Sequence, residues 1–367
     1  MEAQVPWKEL TIRARDPSSE TARASLGVTD MTTDSNPIGR FKGQVLWGIL
    51  ASAALVVSAE AGRPSLPPGV RQPLARLPIA TRIHIPKGPA WLETGFGSVW
   101  VTDILGHQVL RIDPQSNQVV AHIKVGSEPE LGLGMGFGSV WVPDVRDRSI
   151  TEIDPSTNRV RRVIAADLAP FPEGSIGVGE GGLWVITRAD GTDAATVTRL
   201  DPVTGKVVAQ IPVRPQSHAV TVAYGSVWVT STQDHVLSRI DPATNAVVAE
   251  IPMHQKPLFL AGGEGSVWVL CQGDGSLLRI DPATNTVSAT LALGVPGEGG
   301  DLSIDGGYVW VSAEGTPLTQ IDPADNRVLR QYVGGKQLDT LRVSVGDAWL
   351  VDALHGQVWR VPVTNWH

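Results

Sequence analysis

From about residue 78 onward, short apolar runs rich in β-branched residues alternate with small clusters of Gly, Pro, Asp, Asn and Thr. Residues 219–252 show the pattern in full: AVTVA, SVWVT, VLSRID and AVVAEIP, with turn-forming residues between the runs. Runs of this length and composition predict β-strands, and the interruptions predict tight reversals. Beyond residue 75 no stretch combines a helical hydrophobic period with capping residues, so no helix is expected. In V-W-V, apolar side chains occupy successive positions, which predicts strands covered on both faces.

The pattern repeats. Seven tryptophans, at 100, 141, 184, 228, 268, 310 and 349, follow one another at intervals of 39 to 44 residues. After six of them comes a second landmark: RIDP at 111, EIDP at 152, RLDP at 199, RIDP at 239 and 279, and QIDP at 320. The seventh is degenerate, RVPVTN at 360. Seven copies of a four-stranded unit about 40 residues long predict an all-β, seven-bladed β-propeller of antiparallel blades. The last unit stops after its third strand, and residues 80–86 (ATRIHIP) read as the missing fourth. Donated to the last blade, that N-terminal strand would close the ring and leave no open sheet edge.

The turn between strands three and four follows from its residues. In DPATN (241–245) the Asp accepts amide hydrogen bonds, Pro fixes φ, and Asn tolerates the left-handed conformation that reverses the chain. Glycine replaces that Asn at 205. The motif is therefore read as scaffold. Antiparallel connectivity puts these turns and the one–two turns on one face, here the bottom, and the two–three and inter-blade loops on the other, the top. Bottom turns are nearly constant, whereas top loops differ in length and charge, so a site is expected at the top. Inter-blade loops bring Glu128, Glu130, Glu173, Glu298 and Asp339, with His218 as the one imidazole. The two–three loops add Asp103, Asp144, Glu314 and Asp352, with Arg188 on the longest of them. Carboxylates converging on a channel mouth predict oxygen ligation of Mg²⁺ or Ca²⁺.

Composition narrows the field. A net charge of −7 over 367 residues argues against nucleic-acid binding, which needs a basic face. The single cysteine, Cys271, forms no intramolecular disulfide and reads as a buried thiol. GVGEGG (177–182) runs into a strand rather than a helix, which excludes a dinucleotide-phosphate turn. No G-x-S-x-G, H-E-x-x-H or zinc-type cysteine pair occurs. Residues 1–39 are polar and aperiodic, and disorder or an over-extended start before Met31 is expected there. Residues 40–61 place Arg40 and Lys42 before an apolar run of 13 residues and the small-residue stretch SAEA. That order predicts a secretory signal, with a retained membrane anchor as the alternative. Residues 62–77 read as a Pro-rich spacer and 78–367 as the propeller. A secreted or periplasmic location and a monomer are expected.

The repeat G-x-V-W-V…RIDPxTNxVVAxIPV resembles that of the streptogramin (virginiamycin B) lyase-like propellers, and of the neighbouring YVTN and NHL repeat families, over roughly residues 78–366. The resemblance implies a Mg²⁺-assisted carbon–oxygen lyase that opens a cyclic depsipeptide with a histidine base and glutamate metal ligands. Aligned on Trp310, the glutamates of that family fall on Glu298 and Glu314, whereas its histidine position holds Gly300. Glu130 stands near the same slot in another blade, and His218 occupies it in the fourth. Elimination needs a base within reach of the proton beside a carbonyl, which glycine does not supply. The leading expectation is therefore a binding module for a small molecule, peptide or protein at an acidic top face. The lyase, with His218 as its base, is second, and a calcium-dependent hydrolase of a lactone-like substrate is third.

Overall fold

A computed structural model describes residues 66–129, 132–169, 176–188, 195–297, 299–338, 340–364 and 366. The polar segment 1–39 and the signal-like segment 40–61 lie outside the described residues. Six four-stranded antiparallel sheets follow in chain order: blade I (89–124), II (134–165), III (176–213), IV (217–252), V (257–292) and VI (300–333). Blade I is typical, with strands Pro89–Gly95, Ser98–Asp103, Gln108–Asp113 and Gln118–Lys124 running from the axis outward. Blade VII takes three strands from the C-terminus, Leu341–Ser344, Asp347–Asp352 and Gln357–Pro362. Its fourth is Thr81–His84, antiparallel to Gln357–Pro362 with Ile83 opposite Val358. The ring thus closes between chain ends, as the truncated seventh repeat predicts.

One difference concerns the spacer. Arg71–Pro73 runs parallel to the outer strand of blade VI, with Arg71 opposite Gln331, and makes that sheet five-stranded. Leu77 is buried against Trp310 and Leu338. Proline spacing concealed this, because an edge strand contributes backbone groups on only one side and tolerates proline where a central strand does not.

The repeated tryptophans fill the wedges. All seven are at most 2% exposed. Burying a Trp side chain removes about 150–250 Å² from water, worth roughly 4–6 kcal/mol of transfer free energy each. The indole N–H is satisfied within its own blade, as from Trp228 Nε1 to the Ala223 carbonyl at 3.0 Å. Over the indole lies the arginine of RIDP: the Arg239 guanidinium carbon is 5.1 Å from the Trp228 ring centre.

That arginine also fastens one blade to the next. Arg239 donates from Nη1 to the Pro282 carbonyl at 2.7 Å and to Asn285 Oδ1 at 2.8 Å, both in the DPATN turn of blade V. The same pair of bonds runs from Arg111 to Pro155 and Asn158, from Arg199 to Pro242 and Asn245, and from Arg279 to Pro323 and Asn326. Arg360 completes the circle by reaching Pro114 and Asn117 of blade I. The asparagines hold φ between 53° and 57°, and Gly205 holds 70°. Each Asp accepts the amides that follow it, as Asp241 Oδ1 does from Ala243 at 2.9 Å.

The two irregular repeats obey the same logic. Blade II has Glu152 where the arginine belongs, and Arg162 from the neighbouring strand takes over. Glu152 Oε2 accepts from Arg162 Nε at 2.6 Å, and Arg162 reaches the Pro202 and Val203 carbonyls of blade III at 2.6 and 2.7 Å. Blade VI has Gln320, whose neighbour, blade VII, has no DPxTN turn because its fourth strand comes from the N-terminus. Gln320 Nε2 donates instead to the Trp366 carbonyl at 3.1 Å.

Three outcomes follow for stability. Arg239→Lys keeps the charge but loses the planar fork, and should lower unfolding free energy by about 2 kcal/mol in denaturant titration. Gln320→Arg should give no gain, since no turn faces it. Deleting residues 76–88 removes the closing strand and should lower the melting temperature of the whole ring. An unchanged melting curve would refute closure by that strand.

Candidate functional site

The innermost strands line an axial channel of about 380 Å³. A column of side chains crosses it near the top. Trp91 of blade I stacks on Phe259 of blade V, with ring centres 6.1 Å apart and planes 30° apart. These blades are not neighbours, so the pair spans the channel. His218 of blade IV meets Phe259 edge-on, at 5.7 Å and 87°. On the other side of the pair the Arg342 guanidinium lies 5.5 Å from the centre of Trp91.

Arg342 is held between two carboxylates. Its Nε donates to Glu93 Oε2 at 2.7 Å and its Nη1 donates to Asp301 Oδ2. Asp301 also accepts the amide of Leu341 at 3.1 Å, and through Oδ1 its own neighbour Leu302 at 2.8 Å. Burial pushes the Asp301 carboxyl upward while Arg342 and the two amides draw it down, leaving it above the ordinary value. The carboxylates of Asp301 and Glu93 hold Arg342 firmly protonated. A buried ion group of this kind fixes side-chain positions more than it adds stability.

His218 is the sequence-derived candidate whose surroundings are least expected. Its Nε2 is shielded from solvent and has no hydrogen-bond partner among the described residues. Desolvation lowers its pKa from 6.5 to about 4, so the ring is neutral at physiological pH and only weakly basic.

The acidic loop residues divide into three groups. Asp103, Asp144 and Asp352 end their second strands with exposures of 0, 0 and 1%, and each serves its own two–three hairpin. Asp103 accepts from Gln108 Nε2 at 2.6 Å, and Asp144 from the Thr151 hydroxyl at 2.5 Å. Asp352 accepts the His355 amide at 3.1 Å and lies 2.9 Å from its Nδ1. Burial lifts the Asp144 carboxyl to about 7. Next, Glu128 pairs with Arg146, and Glu314 Oε2 accepts the Gln337 amide at 3.2 Å. Finally, Glu130, Glu173, Glu298 and Asp339 lie outside the described residues, as does the side chain of Arg188. The expected Glu298–Glu314 cation pair therefore has one described member. Among the described residues no three His, Cys, Asp or Glu groups converge in metal-binding geometry.

Sequence reasoning missed the channel residues Trp91, Phe259, Arg342, Asp301, Glu93 and Asp305. A signal was present: PAWLETG, DLSID and LRVS put charged or aromatic groups at inner-strand positions where SHAVTVA has small ones. Cys271, in contrast, is the buried thiol expected, with its pKa pushed up to about 12 by desolvation.

Fold and channel define the chain as a seven-bladed β-propeller. No family model and no curated protein matches the sequence. Among solved structures it is similar to a streptogramin B lyase, at 16% identity and a TM-score of 0.62, covering 77% of this chain and 97% of that one. The virginiamycin B lyase from Staphylococcus aureus is similar at 14% identity and TM-score 0.61, covering 77% and 98%. The Cps50 (Swd1) propeller domain from Myceliophteria thermophila aligns as well, at 12% and 0.63, covering 78% and 99%. The likeness to the lyase propellers, expected from the repeat, is one of architecture, and proteins of other kinds share it.

The pH dependence of His218 has a definite sign. Between pH 6.5 and about 4 the unfolded chain takes up a proton at this ring that the folded chain does not. Folded stability therefore falls as pH drops through that window, by about 3 kcal/mol from this group alone. In His218→Phe that part of the decline should vanish, measured as urea midpoints at pH 7 and pH 4.5. Equal declines in both proteins would mean that the ring protonates without unfolding.

Proposed function

We propose that this chain is an extracytoplasmic binding module whose main ligand surface is the top face. The division of labour between faces carries the reading. On the outer bottom face, the Asp of each DPxTN turn is taken up by its own turn's amides, as in Asp241, and the Pro carbonyl and Asn side chain by the arginine of the preceding blade, as in Pro282 and Asn285. At the top, repeated bonds join backbone to backbone, as from Val145 to Glu128 and from Thr232 to Gln216, and the side chains of the two–three and inter-blade loops differ from blade to blade. Variable loops on a rigid frame are where recognition is usually built. The signal-like segment 40–61 supports the extracytoplasmic location, and a small molecule or peptide suits a single propeller of this size.

A second reading is a Mg²⁺- or Ca²⁺-assisted lyase, favoured by His218, whose neutral ring carries an unpartnered Nε2. Against it stand the low basicity of that ring and the bond from Gln337 to Glu314. In that reading a cation held by Glu298 and Glu314 would polarise a substrate carbonyl. The hydrolase reading needs a ring of oxygen ligands in the channel, where Arg342 instead sits against Glu93 and Asp301.

One pair of measurements separates these. Incubation with a streptogramin B-type depsipeptide and Mg²⁺ should leave the cyclic compound intact by chromatography. Formation of the linear unsaturated isomer, abolished in His218→Ala, would replace the binding module with the lyase. Calorimetric titration with Mg²⁺ and Ca²⁺ should give no heat that Glu314→Gln removes. In a peptide and fragment screen followed by amide NMR, the largest shifts should fall in the top loops. Hits confined to the DPxTN turns would overturn the assignment of the face.

A further inference from the structure

The Trp91–Phe259 pair lies across one end of the channel cavity. Its wall runs from the Trp91–Phe259 layer down to Thr94, Gly262, Asp305 and Ser344, the last residues before the one–two turns. Those turns lie on the bottom face, so the cavity is a cup that opens there, floored by the two aromatic rings. At about 380 Å³ it is within the range of small-molecule pockets.

The charge inside is unbalanced. Among the described residues, four ionisable side chains line the cup: Glu93, Asp301 and Asp305 against Arg342. The guanidinium is shared by Glu93 and Asp301, which leaves their group one negative charge in excess. Asp305, near the mouth, has no cationic partner among the described residues; its carboxylate accepts the backbone amides of Gly306 and Val345. Low-dielectric walls focus such an imbalance and raise the local concentration of cations. With Arg342 already between two of the three carboxylates, the arrangement suits an organic cation better than a divalent metal, which would need several free oxygen ligands.

Around the mouth stands a collar that the fold itself does not require. The one–two turns have two successive residues at positive φ, a geometry that favours Asn, Asp or Gly at the first position. Here Phe96, Phe137, Tyr224 and Val345 occupy it, with φ between 51° and 53°. They are 43, 48, 42 and 92% exposed. Bulky side chains are disfavoured in that conformation, and exposed apolar groups gathered at one opening mark a contact surface. Glu180 and Glu264 hold the same position in blades III and V and add negative charge.

We propose that this cup is a second binding site, entered from the bottom face, for a small alkylamine. Its ammonium group is the counter-ion of Asp305 and the Glu93–Asp301–Arg342 group, and its alkyl part lies against the collar. The site is at the opposite end of the channel from the surface proposed above, so each can fail without the other.

The test is an amide-resolved NMR titration of the full chain at low salt. The probes are hexylamine, 1,4-diaminobutane and choline, with 1-hexanol and hexanoate as neutral and anionic matches. At least one amine should shift the amides of Thr94, Asp305 and Ser344 and bind roughly tenfold or more tightly than hexanol or hexanoate. Asp305→Asn should weaken it by about tenfold, while Phe96→Gly with Tyr224→Gly should weaken hexylamine more than diaminobutane. Should Asp305→Asn fail to fold, Ser344→Leu narrows the mouth without removing charge and should likewise abolish the shifts. The proposal is overturned if no amine perturbs the channel amides, if hexanol binds as well as hexylamine, or if both the Asn and the Leu variants bind unchanged.

Discussion

The ring depends on one bond pattern: an arginine lying on its own blade's tryptophan and donating to a carbonyl and an asparagine of the next blade's turn. Tryptophan burial supplies the larger free energy, but it is not directional and would allow neighbouring blades to slide. The guanidinium fork fixes the angle between them, because its planar geometry meets two acceptors at once. Made by Arg111, Arg199, Arg239, Arg279 and Arg360, with Arg162 and Gln320 standing in at the other two blades, a fixed angle per blade is what makes the seventh blade arrive beside the first. The turn asparagines have a double task. Their backbone reverses the chain in the left-handed region, and their side chains receive the arginine of the preceding blade.

The architecture was legible because its causes are local and recur seven times. Tryptophan spacing, alternating strand runs and DPxTN turns each predict a four-stranded unit, and a missing strand at one end matched a spare one at the other. The arginine was also in plain view in RIDP, yet its purpose was hidden, because its acceptors lie more than 40 residues ahead in the next repeat. In retrospect the exceptions point to it: Glu152 comes with a nearby Arg162, and Gln320 precedes the one blade without the turn.

The candidate site was legible only in part. Connectivity assigned acidic residues to the top loops, but sequence could not tell a carboxylate that faces solvent from one closing its own hairpin. Asp103, Asp144 and Asp352 are of the second kind, each turned inward to a neighbouring donor. His218 was found through its place in the repeat, whereas its shielding by Phe259 depends on a blade next door. The Trp91–Phe259 pair comes from blades on different sides of the ring, a proximity that no short-range pattern encodes.

Closure by the N-terminal strand has a consequence for how the molecule comes into being. Thr81–His84 is among the first parts of the propeller to be synthesised, and its partner Gln357–Pro362 is among the last. Until synthesis is nearly finished, the earliest strand has no partner and the blades at either end of the growing stack expose an apolar flank. Joining ends so distant in the chain makes the final step slow relative to blade formation. The growing polypeptide thus carries open sheet edges for most of its synthesis, a period in which pairing with another copy competes with pairing to itself.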